Sequence, residues 1–320
     1  SKLISMEMTM QGKTANFTSG GSDLVGTFTT PDGPGPFPTA LLIPGSGELD
    51  RDGNHKRMNL NLSRDLAQIL ANSGWASLRY DKRGVGESEG DYLSTGFFDE
   101  LSDVIAAYEW LTERSDVAAT VAIGHSAGAL HAVELACRKP SLVGAVLLAT
   151  SAKTGKETLS WQTDQIERHA VPAVAKTLLR LFGTSVAKQQ AKAAKRIQST
   201  TEDVARIQMV KLNAKWMREY IAYDPLDALR ESRIPLLAIT GSKDIQVDPQ
   251  DLDRVAEAAS GHVETELLDD VDHLLRYEPA SFSNPKKYKK QITEPIDARV
   301  ETALVDWLRD LLPATPKTEE

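Results

Sequence analysis

The sequence contains a single cysteine, Cys137, among 320 residues. One cysteine excludes an intrachain disulfide and any metal site built from several thiolates. No apolar run approaches the roughly 18 to 20 residues needed to cross a bilayer, so we expect no membrane span. Residues 1–8 lack the long apolar segment of a signal peptide. We therefore expect a cytoplasmic protein and leave secretion open.

An excess of basic charge is also missing, because 45 acidic side chains stand against 37 basic ones and the net charge is -8. This balance offers no general attraction to nucleic acid or to an anionic membrane, so neither is an expected partner. The sequence has no Walker motif, no H-E-x-x-H and no G-x-G-x-x-G. We expect no nucleotide, no metal and no other cofactor.

Short apolar runs alternate with helix-length segments after residue 38. The runs are nearly continuous in apolar residues, as in strands that are covered on both faces of a parallel sheet. Their alternation with helices predicts right-handed βαβ crossovers and a doubly wound α/β fold. The runs lie at 39–43, 75–80, 120–124, 143–149, 234–240 and 263–268, and the helices are expected near 58–73, 98–113, 126–138 and 249–259.

The two ends of the chain differ from this pattern. Segments around 4–11 and 24–30 alternate more polar and less polar residues, which is typical of antiparallel edge strands. Residues 281–295 are rich in Pro and Lys, and we expect a surface loop there before a last helix over 297–312.

The strand pattern stops between residues 151 and 232. This stretch shows no convincing strand, and Val204, Ile207 and Val210 recur at the spacing of an amphipathic helix. Because the strand pattern resumes directly afterwards, we expect a helical lid over 151–232, inserted into a core formed by 1–150 and 233–320. An independent helical domain is the alternative.

The pentapeptide GHSAG at 124–128 carries the main chemical signal. An apolar run enters it and a helical segment leaves it, so Ser126 is expected on a tight turn with strained backbone angles. Gly124 and Gly128 would remove the Cβ atoms that otherwise collide in such a turn. The hydroxyl would then project above the carboxyl ends of the strands, where open α/β sheets place their sites. A purely structural turn is the alternative.

A nucleophilic serine needs a base and an acid that orients the base. His273 is the candidate base, because it follows the last strand-like run where a loop should return over the sheet. The remaining histidines have other expected places. His125 lies beside the serine and His131 in the next helix, while His55 lies in a polar loop, His169 in the lid and His262 before a strand.

Asp244 is the candidate acid, because it lies just past the end of the run at 234–240 and follows a glycine that permits a sharp turn. Asp248 is the rival, although the proline after it is typical of a helix N-cap with Pro at the first helical position. The chain order Ser126, Asp244, His273 is the order expected of α/β-hydrolases.

Three segments together resemble the α/β-hydrolase superfamily, and more closely the bacterial esterases grouped with serine aminopeptidase-like or dienelactone-hydrolase-like hydrolases. They are GPFPTALLIPGSGELDRDGN at 35–54, YDKRGVGES at 80–88 and GHSAG. The resemblance covers nearly the whole chain outside the lid. It implies the α/β-hydrolase fold, in which helices cover both faces of a mostly parallel sheet.

The same resemblance implies an oxyanion hole formed by the backbone N–H groups of Ser46 and Ala127. Two amides aimed at a developing oxyanion can each lower the barrier by about 3 kcal/mol. The chain has Pro44–Gly45 where many relatives have His-Gly, so the choice between Gly45 and Ser46 stays open.

Charged and aromatic residues around this expected site allow two interpretations each. The charges of 50–54 and 81–88 brace the rim of the site or, as we favour, form a solvated salt-bridge lattice. Basic residues of the lid form a solvated face or attract an anionic or polar substrate. Large lid side chains line an acyl pocket or form the lid's own core. The lid residues concerned are Lys188, Lys192 and Lys195, and Trp161, Trp216, Met217 and Tyr220.

The sequence therefore predicts a serine hydrolase that cleaves small-molecule carboxylic esters through an acyl-enzyme. His273 would take the proton from Ser126, while Asp244 would hold the imidazole and stabilise its charged form. A peptidase, an amidase or an acyltransferase could use the same triad, and a non-catalytic binding module is a further alternative. The sequence leaves the oligomeric state and the substrate-binding residues open.

Overall fold

Ten strands, ten α-helices and one short 3-10 helix (Tyr92–Ser94) are found in the parts of the chain that the computed structural model describes, which are residues 11–169, 172, 175, 181, 185–207, 209–284 and 288–312. The strands are Gln11–Ser19 (β1), Ser22–Thr30 (β2), Phe37–Ile43 (β3), Ala76–Tyr80 (β4), Val117–His125 (β5), Gly144–Leu148 (β6), Val204–Ile207 (β7), Val210–Asn213 (β8), Leu236–Gly241 (β9) and Val263–Leu268 (β10). The helices are Leu62–Asn72 (α1), Phe97–Thr112 (α2), Ala127–Arg138 (α3), Gly155–His169 (α4), Val186–Ser199 (α5), Ala214–Ala222 (α6), Pro225–Glu231 (α7), Asp251–Ala258 (α8), Tyr288–Gln291 (α9) and Ala298–Leu311 (α10).

Eight of these strands form one sheet in the spatial order β1-β2-β4-β3-β5-β6-β9-β10. The six strands from β4 to β10 pair in parallel, and β2 is antiparallel to both of its neighbours. The carboxyl ends of the six parallel strands therefore lie at one edge of the sheet, where α/β proteins place their sites.

The central strands are continuously apolar because their side chains point alternately to two faces of the sheet and both faces are covered by helices. Val121 and Ile123 of β5 pack on one face with α1 and α10, whereas Ala122 between them packs on the other face with α2, α3 and α8. Successive side chains of a strand point to opposite faces, so a strand covered on both sides needs apolar residues throughout. The predicted α/β fold with helices on both faces of the sheet is confirmed.

The amino-terminal hairpin differs from the prediction in its boundaries. The strand that pairs with β2 begins at Gln11, whereas we expected one at 4–11, and residues 1–10 lie outside the described part of the chain. Gly20 and Gly21 connect the two strands and have φ angles of 55° and 80°. A two-residue turn with both φ angles positive suits the right-handed twist of a hairpin. The two glycines therefore place the turn of the hairpin between Ser19 and Ser22.

The chain leaves the sheet between β6 and β9. We call residues 151–232 the insertion. The prediction of a helix through Val204, Ile207 and Val210 is wrong, because these residues belong to the antiparallel hairpin β7–β8. All three side chains are β-branched and favour strands, and Met209, at φ 66°, reverses the chain between them. No helix among the described residues is long and apolar enough to cross a membrane.

Candidate active site

Ser126 occupies a strained turn between β5 and α3. Its backbone angles are φ 55° and ψ −121°, and its N–H donates to Leu148 O of the neighbouring strand at 2.9 Å. A Cβ at Gly124 would lie 2.1 Å from Gly128 O, and a Cβ at Gly128 would lie 2.3 Å from Ile43 O. Both glycines are required by close backbone packing, as the sequence predicted.

Asp244 and His273 form a buried hydrogen bond. His273 Nδ1 lies 2.7 Å from Asp244 Oδ2, and their side chains are 3% and 0% exposed. The backbone N–H groups of Gln246 and Val247 donate to Asp244 Oδ1 at 2.7 and 2.9 Å, which fixes the carboxylate in one orientation. A neutral imidazole that donates from Nδ1 keeps Nε2 unprotonated, and a general base requires that state.

The rival acid, Asp248, has a different role in the structure. Lys153 Nζ donates to Asp248 Oδ2 at 2.7 Å and to Asp251 Oδ1 at 2.5 Å. Asp248 therefore helps to attach the insertion to the loop before α8, and that helix begins at Asp251. The structure brings Asp244, and not Asp248, to His273.

His125 joins the serine turn to the loop that carries His273. Its Nε2 lies 2.8 Å from the backbone O of His273 and must be the donor, because a carbonyl oxygen can only accept. Burial lowers the pKa of His125 to about 3, which keeps the ring neutral. Because His125 precedes Ser126, this contact holds Ser126, His273 and Asp244 at the same end of the sheet. The sequence placed His125 only beside the serine, and nothing in the sequence indicated this contact.

The loop after β3 lies against the serine turn. A Cβ at Gly45 would be 3.3 Å from the Cβ of Ser126, and Ser46 borders the same cavity as Ser126 and Ala127. Ala127 is the first residue of α3, where a backbone N–H has no acceptor within the helix and lies at the positive end of the helix dipole.

A cavity of about 630 Å³ opens above Ser126, a volume within the range of small-molecule sites. The core and the insertion both contribute to its wall. Its apolar lining includes Leu130 from α3 and, from the insertion, Leu159, Ile197, Trp216, Met217 and Tyr220.

The two interpretations of the large insertion residues are compatible. Trp216 and Tyr220 stack with ring centroids 4.8 Å apart and pack against buried Phe97, yet both also line the cavity together with Met217. Trp161 is half-buried and is not a lining residue. The three lysines of α5, Lys188, Lys192 and Lys195, are exposed, which supports a solvated face.

The charged segments near the site are not the solvated lattice that we favoured from the sequence. Arg51 makes three hydrogen bonds to Asp81, whose side chain is 3% exposed, and Lys82 pairs with Glu100 at 2.8 Å. Burial of these pairs depends on residues far away in the chain, so composition alone could not reveal it. The ion pairs brace the loop beside the site, as the other interpretation proposed.

The other histidines lie away from this constellation. His131 is buried, its Nε2 lies 3.0 Å from Phe97 O, and burial lowers its pKa to about 4. His55 borders the cavity and lies 4.0 Å from Glu48. His169 and His262 are exposed. Among the residues that the structure describes, no group of His, Cys, Asp or Glu is arranged to hold a metal ion.

A mostly parallel sheet covered on both faces, with a serine on a strained strand-to-helix turn at its carboxyl edge, defines an α/β hydrolase. A model of the family described as "Serine aminopeptidase, S33" matches residues 58–280. The chain belongs to this family.

Two curated proteins are similar in sequence. The chain is 28% identical over 290 residues to esterase EstD of Thermotoga maritima, an alignment that covers 89% of this chain and 65% of EstD. It thus spans slightly less than two thirds of the length of that esterase. It is 27% identical over 212 residues to the putative carbamate hydrolase RutD of Rhizobium rhizogenes, which covers 64% of this chain and 78% of RutD.

Solved structures share the fold. The esterase PF2001 of Pyrococcus furiosus superposes with a TM-score of 0.63 at 16% identity, covering 97% of this chain and 95% of that one. Est1E of Butyrivibrio proteoclasticus, with ferulic acid bound, also has a TM-score of 0.63 at 16% identity, covering 93% and 98%. At these identities the likeness shows the fold alone.

Proposed function

We propose that the protein is a serine hydrolase that cleaves carboxylic esters of small molecules through an acyl-enzyme. The observation that carries the proposal is the buried 2.7 Å hydrogen bond between Asp244 and His273. The loop of His273 is in turn hydrogen-bonded to His125, the residue before Ser126. The esterase relatives support an ester as the substrate.

In this mechanism His273 takes the proton from Ser126 as the Ser126 oxygen attacks the acyl carbon. Asp244 holds the imidazole and stabilises its charged form. The backbone N–H groups of Ser46 and Ala127 receive the oxyanion. The C–O bond to the alcohol breaks, and the alcohol leaves with the proton from His273. Water then attacks the acyl-enzyme in the same way and regenerates the serine.

The insertion acts as a lid in this proposal. Residues 151–232 cover a core formed by 1–150 and 233–320, and they supply much of the apolar cavity wall near Ser126. Acyl groups with aliphatic or aromatic character suit a wall of leucine, methionine and aromatic side chains. The partly buried Lys153 contacts hold this insertion against the loop before α8.

Replacing the nucleophile tests the proposal. Ser126→Ala should abolish hydrolysis of short p-nitrophenyl esters and labelling by a fluorophosphonate probe, while the circular dichroism spectrum and Tm stay close to those of the wild type. Ser151→Ala is a matched control, because Ser151 also borders the cavity and its variant should still be labelled. Undiminished turnover or labelling in Ser126→Ala would disprove the assignment.

An aminopeptidase or amidase is the second candidate, and the family's description favours it. Such an enzyme needs a group that holds the substrate's ammonium, and Glu48 is a carboxylate on the cavity wall. Kinetics on leucine methyl ester and leucine p-nitroanilide, each with free and acetylated amine, would separate the candidates. We expect faster turnover of the esters and no need for the free amine. Faster turnover of the free-amine anilide, lost in Glu48→Gln, would favour the aminopeptidase.

A further inference from the structure

A buried series of hydrogen bonds connects the loop after β3 to the insertion. Lys82 Nζ donates to Gly45 O at 2.6 Å and to Glu100 Oε1 at 2.8 Å. Trp216 Nε1, on α6, donates to Glu100 Oε2 at 2.8 Å. The side chains of Lys82 and Glu100 are each only 7% exposed. An apolar pair of similar volume would often be as stable as a buried ion pair, so stability alone gives no reason for these charges.

The carbonyl held by Lys82 belongs to a particular peptide unit. Gly45 O and the N–H of Ser46 are the two ends of the same peptide group, and this peptide bond is not among the cis bonds of the described residues. In a trans peptide the C=O and the N–H point in opposite directions. A fixed direction for Gly45 O therefore fixes the direction of the Ser46 N–H.

The ammonium of Lys82 also polarises this peptide group. A charge-assisted hydrogen bond to the carbonyl draws electron density towards the oxygen, and amide resonance passes the effect on to the N–H. The Ser46 N–H becomes a stronger hydrogen-bond donor. This arrangement favours Ser46 over Gly45 as the first oxyanion donor, because the Gly45 N–H belongs to the preceding peptide unit.

We propose that Lys82 is a positioning residue that orients and polarises the Ser46 N–H for the oxyanion. Glu100 holds the Lys82 ammonium in place, and Trp216 fixes the second oxygen of Glu100, so that the insertion contributes to the order of the oxyanion loop. The inference rests on the proposed function, because the Ser46 N–H matters only if an oxyanion forms beside Ser126.

The test removes both charges together. The double variant Lys82→Met/Glu100→Gln leaves no unpaired buried charge, and the Gln side chain can still accept from Trp216. We expect kcat for p-nitrophenyl butyrate to fall about 10- to 100-fold, less than the roughly 100- to 1,000-fold loss when an oxyanion donor is deleted. KM should change little, because the ground-state ester places no full charge on its carbonyl oxygen.

A neighbouring ion pair between a partly buried arginine and a buried aspartate provides the matched control. Arg83 and Asp103 pair at 2.6 Å, the side chain of Asp103 is 2% exposed, and the pair joins the same two segments, the loop after β4 and α2. No hydrogen bond of Arg83 reaches residues 44–47. The double variant Arg83→Met/Asp103→Asn should lower Tm to a similar extent and leave kcat close to the wild-type value.

A transition-state analogue gives a readout that a structural role would not change. When Ser126 adds to the carbonyl carbon of a trifluoromethyl ketone, the serine proton passes to His273 and the C=O electron pair becomes an oxyanion. The affinity for this ketone should fall in Lys82→Met/Glu100→Gln by about the same factor as kcat/KM. Lys82→Arg, which can still donate to Gly45 O, should retain more activity than the double variant.

The outcomes separate this inference from the proposed function. Unchanged kcat and unchanged ketone affinity in the Lys82/Glu100 double variant would overturn the inference alone, provided that Ser126→Ala is inactive. An equal loss of kcat in the Arg83/Asp103 control would also overturn it, because the loss would then reflect general destabilisation. A wild-type protein with no ester hydrolysis and no fluorophosphonate labelling would overturn both.

Discussion

The imidazole of His125 holds the main chain of His273, with Nε2 2.8 Å from the carbonyl oxygen. One residue thus connects the strand that ends at the proposed nucleophile to the loop that carries the proposed base. Burial keeps the pKa of His125 at about 3, so a fall in pH through the ordinary range of histidine leaves this contact intact. The base therefore has a main-chain anchor that is independent of its own protonation.

His125→Phe tests this anchor, because phenylalanine keeps a ring of similar shape but has no donor. The carbonyl of His273 would lose its partner, and a small displacement of a catalytic group can lower the rate by about 100-fold. We expect a loss of about tenfold in kcat, with little change in KM. In His125→Gln the amide N–H can donate again and should restore part of the rate. Equal kcat values in both variants would contradict the anchoring role.

Asp244→Asn should abolish nearly all activity without disturbing the fold. The N–H groups of Gln246 and Val247 would hold the amide oxygen in the place of Oδ1, so the amide NH₂ would face His273 Nδ1. Nδ1 must then accept, the ring proton moves to Nε2, and the base can no longer take a proton. In a serine protease the equivalent change lowers kcat about 10⁴-fold. We expect a loss of similar size in steady-state ester hydrolysis.

Asp248→Asn is the control for this prediction. Asp248 pairs with Lys153, which keeps its second partner, Asp251, when Asp248 is replaced. The variant should keep kcat close to the wild-type value, with at most a small loss of Tm. A loss at Asp248 as large as that at Asp244 would mean that the structure assigns the wrong carboxylate.

The parts of the site that local sequence could predict are those governed by short-range rules. The two glycines around Ser126 mark a turn that cannot tolerate a Cβ, and the structure shows the backbone contacts that exclude one. Asp244 and His273 each follow a strand of a parallel sheet, so the topology alone brings them to one edge. The N-cap role that the proline suggested for Asp248 is wrong, because the helix begins only at Asp251 and Asp248 instead pairs with Lys153.

The remaining features depend on contacts between distant segments. Lys82, Glu100 and Trp216 are separated by 18 and 116 positions, and no local pattern indicates that their charges and indole nitrogen are buried together. A helix is predicted in place of the β7–β8 hairpin because three apolar residues recur at helical spacing. This prediction gives too little weight to their β-branched side chains, which favour strands. Periodicity over so few residues fits both structures.

Asp272, the residue before the proposed base, is a buried carboxylate with one satisfied oxygen. Its Oδ1 accepts from the N–H groups of Leu274 and Arg276, whereas Oδ2 has no partner among the described residues. Burial raises the pKa of Asp272 to about 6, although those backbone hydrogen bonds and the neighbouring His273 oppose the shift. Folding therefore favours the protonated form of this group.

Asp272→Asn should change the pH dependence of stability in a defined direction. Between the unfolded pKa near 3.8 and the folded pKa of about 6, the folded state holds a proton that the unfolded state has released, so rising pH lowers the stability of the wild type. The full effect is on the order of 3 kcal/mol. Asparagine keeps the accepting oxygen but does not titrate. In urea unfolding, the free energy of unfolding of the wild type minus that of the variant should decrease from pH 4 to pH 7. The same difference for the exposed Asp269→Asn should stay flat, and a flat difference for Asp272 would contradict the prediction.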